Sequence, residues 1–355
     1  MTRPVDLGVD LGVDLAAVVA WLREEGVADG PVGAVTPLGG GTQNVMLRLD
    51  VGGRDLVLRR GPRHLRPRSN DAMRREIRVL GALAGTDVPH PRLVAACTDE
   101  RPALGGAVTY VMEPVEGFNP AVEVPEAYAA DAGLRYRAGL AVAEALAALG
   151  SVDHQAVGLG DLGRPEGFLE RQVPRWLGEL DSYAGLEGYA DEPRLPHVDE
   201  LATWLEERRP QRWTPGLIHG DFHLANVMLH PSEPRVAAVV DWEMCTVGDP
   251  LMDLGALVAT WYRADGTEIV DAALARAGGV PTTDELVAAY AARSRLDVPD
   301  VSVVGWYVVM ACFKLGIVLE GTYARSRAGL APAETGERLH AATLELLRRA
   351  REVTG

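Results

Sequence analysis

LIHGDFHLANVMLHPSEPRVAAVVDWEMCTVGDPLMDLGAL, residues 217–257, decides how the rest of the chain is read. Asp221 follows His219-Gly220, Asn226 comes five residues later, and Asp241 closes the apolar run 236–240. Residues 227–229 and 236–240 read as two short strands joined by a turn at 231–234. Such a hairpin is expected to bring Asn226 and Asp241 to one end, with Asp221 on the loop just before it.

Two carboxylates and an amide in this order suit phosphoryl transfer. One carboxylate accepts the proton of a substrate hydroxyl, while an amide oxygen and a second carboxylate hold Mg²⁺ on nucleotide phosphates. The D-x-x-x-x-N spacing with a later Asp resembles the protein-kinase pattern. His219-Gly220-Asp221 stands in place of His-Arg-Asp, and Asp241-Trp242-Glu243 in place of Asp-Phe-Gly. With Gly248-Asp249-Pro250 and Asp253, these departures resemble the aminoglycoside phosphotransferase and choline kinase branch of the kinase-like fold. A blander reading makes His219 and His223 a helical metal pair. Gly220 argues for a loop instead, and no third ligand cluster follows, so His219 is read as a structural brace. Asp249 and Asp253 are expected to cap a helix start and brace the loop.

The chain has 355 residues, enough for two lobes with sizeable cores. Its 47% hydrophobic and 24% charged residues are ordinary for a globular enzyme. A net charge of −15 argues against non-specific nucleic-acid binding and favours a cationic ligand. Cys97, Cys245 and Cys312 are scattered, so neither a disulfide framework nor a metal knuckle is indicated. No basic and apolar leader opens the sequence, which makes the cytoplasm the expected compartment. Lys314 is the only lysine, and arginine supplies the remaining positive charge.

Upstream of the central stretch, 5–15 is a low-complexity VDLG repeat, and Asp14 is expected to cap a helix over 15–25. A strand at 32–38, the run Gly39-Gly40-Gly41-Thr42-Gln43-Asn44 and a strand at 45–51 read as a flap whose backbone approaches phosphates. Gly52-Gly53-Arg54 turns into a strand over 55–59. Residues 56–59, Leu-Val-Leu-Arg, occupy the place where kinases carry V-A-I-K, so Arg59 replaces the lysine in register. Glu76, on a helix over 71–83, is its expected partner. Eight arginines crowd residues 59–78, a solvated face or a contact for a polyanion. Residues 108–112 read as a strand ending in Glu113-Pro114-Val115-Glu116-Gly117, a hinge in the kinase-like fold.

Helices are expected over 127–149, 167–177, 284–293 and 337–351. The run 301–319 has about the length of a membrane span, yet Lys314, Gly305 and Gly316 interrupt it, and a buried core helix is the better reading. Arg59 within LRR, and GLGDLGRPEG (158–167) before a helix ending in Trp176, resemble a subgroup related to the kinase-like domain of certain acyl-CoA dehydrogenases. Gly150 stands where that subgroup commonly has histidine in an L-H-x-V-D run.

The resemblance covers nearly all of the chain from about residue 31. It implies an α+β bilobal protein-kinase-like fold, with a small antiparallel-sheet N-lobe and a mostly helical C-lobe. Residues 1–30 would be a tail and helix, 31–113 the nucleotide-binding lobe, and 114–355 the lobe with catalytic loop, metal site and acceptor pocket. It further implies Asp221 as catalytic base and Asn226 and Asp241 as Mg²⁺ ligands. Gly39, Gly40, Gly41, Thr42, Asn44, Arg59, Glu76, Glu113 and Val115 would hold ATP, with GTP as the alternative nucleotide. The partner is a small-molecule hydroxyl acceptor, with no nucleic acid and no membrane. Trp306, Tyr307, Lys314, Glu320, Tyr323 and Arg325 are its pocket candidates. A hydroxyacyl-CoA-like metabolite is the favoured acceptor, and an aminoglycoside or other antibiotic is the alternative. A catalytically silent nucleotide binder and a metal-dependent phosphoesterase using His219, Asp221 and His223 complete the alternatives.

Overall fold

The structure, a computed structural model, describes residues 13–39, 44–62, 65, 68–262, 272–296 and 301–355, without the side chains of 301 and 302. The chain forms two units. The smaller comprises Met1–Gly117 and Ala237–Cys245, and the larger Phe118–Val236 and Thr246–Gly355.

In the smaller unit, Asp14 starts α1 (Leu15–Glu24) by accepting the Ala16 and Ala17 N–H groups, satisfying donors the helix itself cannot. Val18, Trp21 and Leu22 of α1 enter the same buried cluster as Leu47, Leu49, Leu56 and Leu58. The helix therefore belongs with the sheet rather than with a separate tail. The sheet contains β1 (Val32–Pro37), β2 (Val45–Val51), β3 (Arg54–Arg60), β4 (Leu93–Cys97) and β5 (Thr109–Met112), in the order β1-β2-β3-β5-β4 with every neighbour antiparallel. Gly52 and Gly53 close the β2–β3 hairpin at φ +61° and +82°, the two positive values of a tight type I′ connection. A Cβ at Gly52 would lie 2.3 Å from the Asp29 carbonyl, so glycine is required twice over. α2 (Ser69–Leu83) buries Met73, Glu76, Ile77, Leu80 and Leu83 along one stripe.

Residues 237–245 join this unit, although the sequence reading put them in 114–355. Local bonds explain it: the Val239 N–H donates to the Pro89 carbonyl, and Arg75 donates to that of Cys245.

The larger unit is mostly helical. Its helices are α3 (Glu126–Ala130), α4 (Ala132–Gly150), α5 (Gln172–Ser182), α6 (Val198–Glu207), α7 (Leu251–Thr260), α8 (Ala273–Arg276), α9 (Thr283–Arg293), α10 (Val301–Arg327) and α11 (Ala333–Thr354). The helix expected over 127–149 is broken at Asp131, which is extended; buried Arg135 takes the freed Tyr128 and Ala129 carbonyls. The helix expected over 167–177 starts later, as α5, so Trp176 sits inside it rather than at its end. α10 contains the stretch Val303–Arg327, long and apolar enough to cross a membrane, with 61% of its most apolar window buried in the protein. It packs against α7 and α11 as the central helix of this unit. Gly150 has no room for a side chain: a Cβ would meet Pro250 at 2.9 Å and the Tyr290 hydroxyl at 3.1 Å.

Short strands carry the functional stretch: β6 (Gly216–Ile218), β7 (Val227–Leu229), β8 (Val236–Val239) and β9 (Thr246–Gly248). β6 and β9 pair antiparallel, and the turn after β7 closes where the His230 N–H meets the Arg235 carbonyl.

Candidate active site

In the larger unit, the loop leaving β6 is held from opposite sides. Asp253, buried in the first turn of α7, accepts the backbone N–H groups of His219 and Gly220. Lys314 of α10 donates its Nζ to the Gly220 carbonyl. One peptide segment thus has its donors fixed by a carboxylate and its acceptor fixed by an ammonium. Gly220 is at φ +84°, a conformation that favours glycine. The His219 ring, fully buried, accepts the Asp221 N–H through Nδ1 at 3.3 Å, so it braces the loop.

Asp221 projects from this frame with 44% of its side chain exposed. Burial works to raise its carboxyl pKa, but a hydrogen bond from His223, the His223 charge and the Lys314 charge outweigh that and hold it at about 2. The group is therefore a carboxylate at every physiological pH. Asn226 Nδ2 donates to the Asp221 carbonyl at 2.8 Å and to its Oδ2 at 3.2 Å. With the amide nitrogen so engaged, Oδ1 remains as the side chain's acceptor. Asn119 donates to the Ala225 carbonyl and ties the short turn before β7 to the start of this unit.

In the smaller unit, β3 places Arg59 opposite Met46 on one side and Tyr110 on the other. Arg59 is only 8% exposed. Its Nε lies 3.1 Å from Glu76 Oε2, an ion contact with the N–H off the line between them, and its Nη2 donates to Asp241 Oδ1 at 2.8 Å. The fork thus spans two carboxylates, which a single ammonium point charge would do less well. Burial pushes the Glu76 carboxyl up to about 6, with the Arg59 charge opposing. Asp241 is held at φ +70°, ψ +62°, a strained position for a non-glycine residue. Its side chain is 39% exposed, with Oδ1 taken by the Arg59 bond.

At the hinge, the Glu113 N–H donates to the Arg92 carbonyl. Among the described residues, the Glu113 carbonyl and the Val115 N–H have no hydrogen-bond partner, which suits reading a base edge. Gly39 and Asn44 lie on the connection between β1 and β2, while Gly40, Gly41 and Thr42 lie outside the described residues.

Among the described residues, no group of three His, Cys, Asp or Glu side chains gathers as a metal site. Asn226 and Asp241 each offer one oxygen, and Mg²⁺ commonly takes only one or two protein ligands and completes its shell with phosphates and water. By donor chemistry alone, an amide oxygen and a carboxylate oxygen are of the kind that ion takes. Of the six pocket candidates on α10, Lys314 reaches the Asp221 loop. The others hold core or surface contacts; for example, Trp306 donates to the Leu205 carbonyl and Tyr307 to Asp249. The sequence reading missed His223 as a partner of Asp221, although its position two residues on was a usable signal. It also missed Lys314 as a loop brace, which no local pattern could reveal.

The fold is of the kinase-like class, the architecture of phosphotransferases. The phosphotransferase enzyme family (APH) matches residues 34–291, and the chain belongs to this family. A crystal structure from Ralstonia eutropha JMP134, whose suggested activity is aminoglycoside phosphotransfer, is 30% identical with a TM-score of 0.76, covering 96% of this chain and 99% of that one. The aminoglycoside phosphotransferase APH(4)-Ia, as a thermostable mutant in complex with ADP and hygromycin B, shares the fold at 18% identity and TM-score 0.57, covering 94% of this chain and 98% of its own. Among curated proteins, acyl-CoA dehydrogenase family member 11 of Gallus gallus is 32% identical over 319 residues, and the probable acyl-CoA dehydrogenase IBR3 of Arabidopsis thaliana is 32% identical over 324. They match 87% and 86% of this chain, which spans only 39% and 37% of their lengths.

Proposed function

We propose that the chain is an ATP- and Mg²⁺-dependent kinase of a small-molecule alcohol, with a hydroxyacyl-CoA-like metabolite as acceptor. The observation that carries the reading is Asp221: an exposed, permanently ionised carboxylate on a loop braced by Asp253 and Lys314. In the reaction, the acceptor hydroxyl approaches Asp221, which orients it and takes its proton late in the transfer. The acceptor oxygen bonds to the γ-phosphorus, the bond to the β–γ bridging oxygen breaks, and ADP leaves. Asn226 and Asp241 would hold Mg²⁺, which would supply neutralisation of charge on the nucleotide phosphates. Arg59, set by Glu76, contacts the α- and β-phosphates. Backbone groups of Glu113 and Val115 would read the adenine.

The metabolite acceptor is supported by the relatives named for acyl-CoA dehydrogenation, whose matching stretch this chain resembles. The aminoglycoside reading draws on the Ralstonia eutropha protein and on the net charge of −15.

The deciding assay is ADP release from MgATP, and from MgGTP, over a panel of hydroxyacyl-CoAs, aminoglycosides and macrolides. Asp221→Asn serves as control: turnover is expected to fall roughly 10²–10⁴-fold while calorimetric MgATP affinity stays near wild type. Turnover within about tenfold of wild type would sink the base assignment. Asp241→Ala is expected to abolish the Mg²⁺-dependent part of ATP binding; unchanged affinity counts against the metal role.

A further inference from the structure

Beside the Asp221 loop, α5 and α10 bring two cations onto one indole. Lys314 Nζ lies 5.6 Å from the Trp176 ring centroid while it donates to the Gly220 carbonyl. Arg175 stacks its guanidinium over the same ring at 4.8 Å. Among the described residues, no carboxylate pairs with Arg175, although the chain carries 50 Asp and Glu against 35 Lys and Arg. Trp176 is only 6% exposed, and among the described residues its Nε1–H has no acceptor. A buried donor left unmade costs about 1–3 kcal/mol, which favours an acceptor from a water or a bound ligand there.

Lys314 adds a second anomaly. The chain uses arginine for every other cationic side chain of this kind, yet carries its one lysine here. A compact ammonium can donate to Gly220 and still direct its other two N–H bonds elsewhere, which a planar fork cannot do as readily. Burial works to strip its proton, and the Asp221 and Asp253 charges oppose that.

We propose that Arg175, Trp176 and Lys314 form an acceptor subsite that binds the acyl oxygen of the substrate, a carboxylate or a thioester carbonyl, while its hydroxyl lies on Asp221. The inference rests on the kinase reading above and narrows it. Base and cation adjoin one another at Gly220-Asp221, so the hydroxyl and the acyl oxygen must sit a few bonds apart on one molecule. A cationic acceptor would instead be pressed against two like charges, which weakens the case for an aminoglycoside.

The test is calorimetric binding to the full chain saturated with MgADP, using 3-hydroxybutyryl-CoA, free 3-hydroxybutyrate, CoA alone and neutral 1,3-butanediol. MgADP affinity of each variant, measured first, shows that it is folded. The thioester and the free acid are expected to compete with each other, and the stronger binder identifies which source of the acyl oxygen is preferred. Arg175→Glu, at an exposed position, and Lys314→Met are each expected to weaken both by about tenfold or more, equivalent to about 1.4 kcal/mol, with the diol less affected. Binding by Arg175→Glu within about twofold of wild type, competition by CoA alone, or no binding of either acyl probe overturns the subsite. Binding without any ADP release from MgATP overturns the kinase reading and leaves the subsite standing.

Discussion

Arg59 carries a load that a lysine at its position would not. Its fork reaches Glu76 and Asp241 together, and both it and Glu76 are almost fully buried. Removing one partner of a buried pair costs about 3–5 kcal/mol, because the other charge is left without compensation. Arg59→Ala is therefore expected to lower unfolding free energy by about that amount at pH 8, as read by urea titration. Glu76 already has its pKa raised to about 6, and losing the cation raises it further. A raised carboxyl pKa gives stability that is complete below the unfolded value near 4.3 and is lost as pH rises through the folded one. The defect of Arg59→Ala should thus shrink at pH 5, and a pH-independent defect would refute the electrostatic account. Arg59→Lys keeps one contact, and its expected signature is a raised KM for MgATP with the fold intact.

At the scale of elements, the site depends on how α7 and α10 pack. α7 brings Asp253 to the loop, and α10 brings Lys314 to the same peptide. Their contact is close because Gly255 faces Tyr307: a Cβ there would lie 2.5 Å from the Tyr307 carbonyl carbon and oxygen. Since backbone atoms cannot rotate away, Gly255→Ala must push the helices apart. Overpacking of this kind costs about 1–3 kcal/mol, measurable as a lowered urea midpoint. Because both braces move with their helices, turnover should fall in parallel. An alanine variant with wild-type stability would show that the two helices can slide without penalty. α5 illustrates the opposite case. Its start was placed too early from sequence, since residues 169–171 form a 3₁₀ turn and α5 itself begins at Gln172.

For the whole molecule, pH stability is set by which carboxyls gain and which lose on burial. Asp249 accepts from the Tyr307 hydroxyl at 2.6 Å and from the Leu251 N–H at 3.1 Å, yet burial outweighs these and lifts it to about 6. A carboxyl raised from about 4 to about 6 favours the folded state most below pH 4, and about 2–3 kcal/mol of that benefit is lost as pH climbs to 6. Asp249→Asn keeps the size and, through Oδ1, the bond from the Leu251 N–H, while its Nδ2 can only donate to the Tyr307 oxygen; the charge is removed. Relative to wild type, its melting temperature should therefore improve as pH rises from 4 to 6.5; parallel curves would contradict the assignment. Asp221 works in the other sense: its depressed pKa adds stability above about pH 4 that disappears on acidification.

Much of this protein follows from the sequence itself. The order Asp221, Asn226, Asp241, the register of Arg59, the Gly52-Gly53 turn and the Asp14 cap are legible because spacing, turn chemistry and capping act over a few residues. The α+β class is implied by the family resemblance those motifs carry, and the core helix α10 follows from the length of its apolar run. What tertiary structure alone decided is the electrostatic frame. Lys314 meets Gly220 across 94 residues, and Arg59 meets Asp241 across 182. The break at Asp131 likewise depends on where the Arg135 guanidinium is buried. Desolvation and charge pairing depend on which distant segments exclude water from one another, and no local stretch of sequence encodes that.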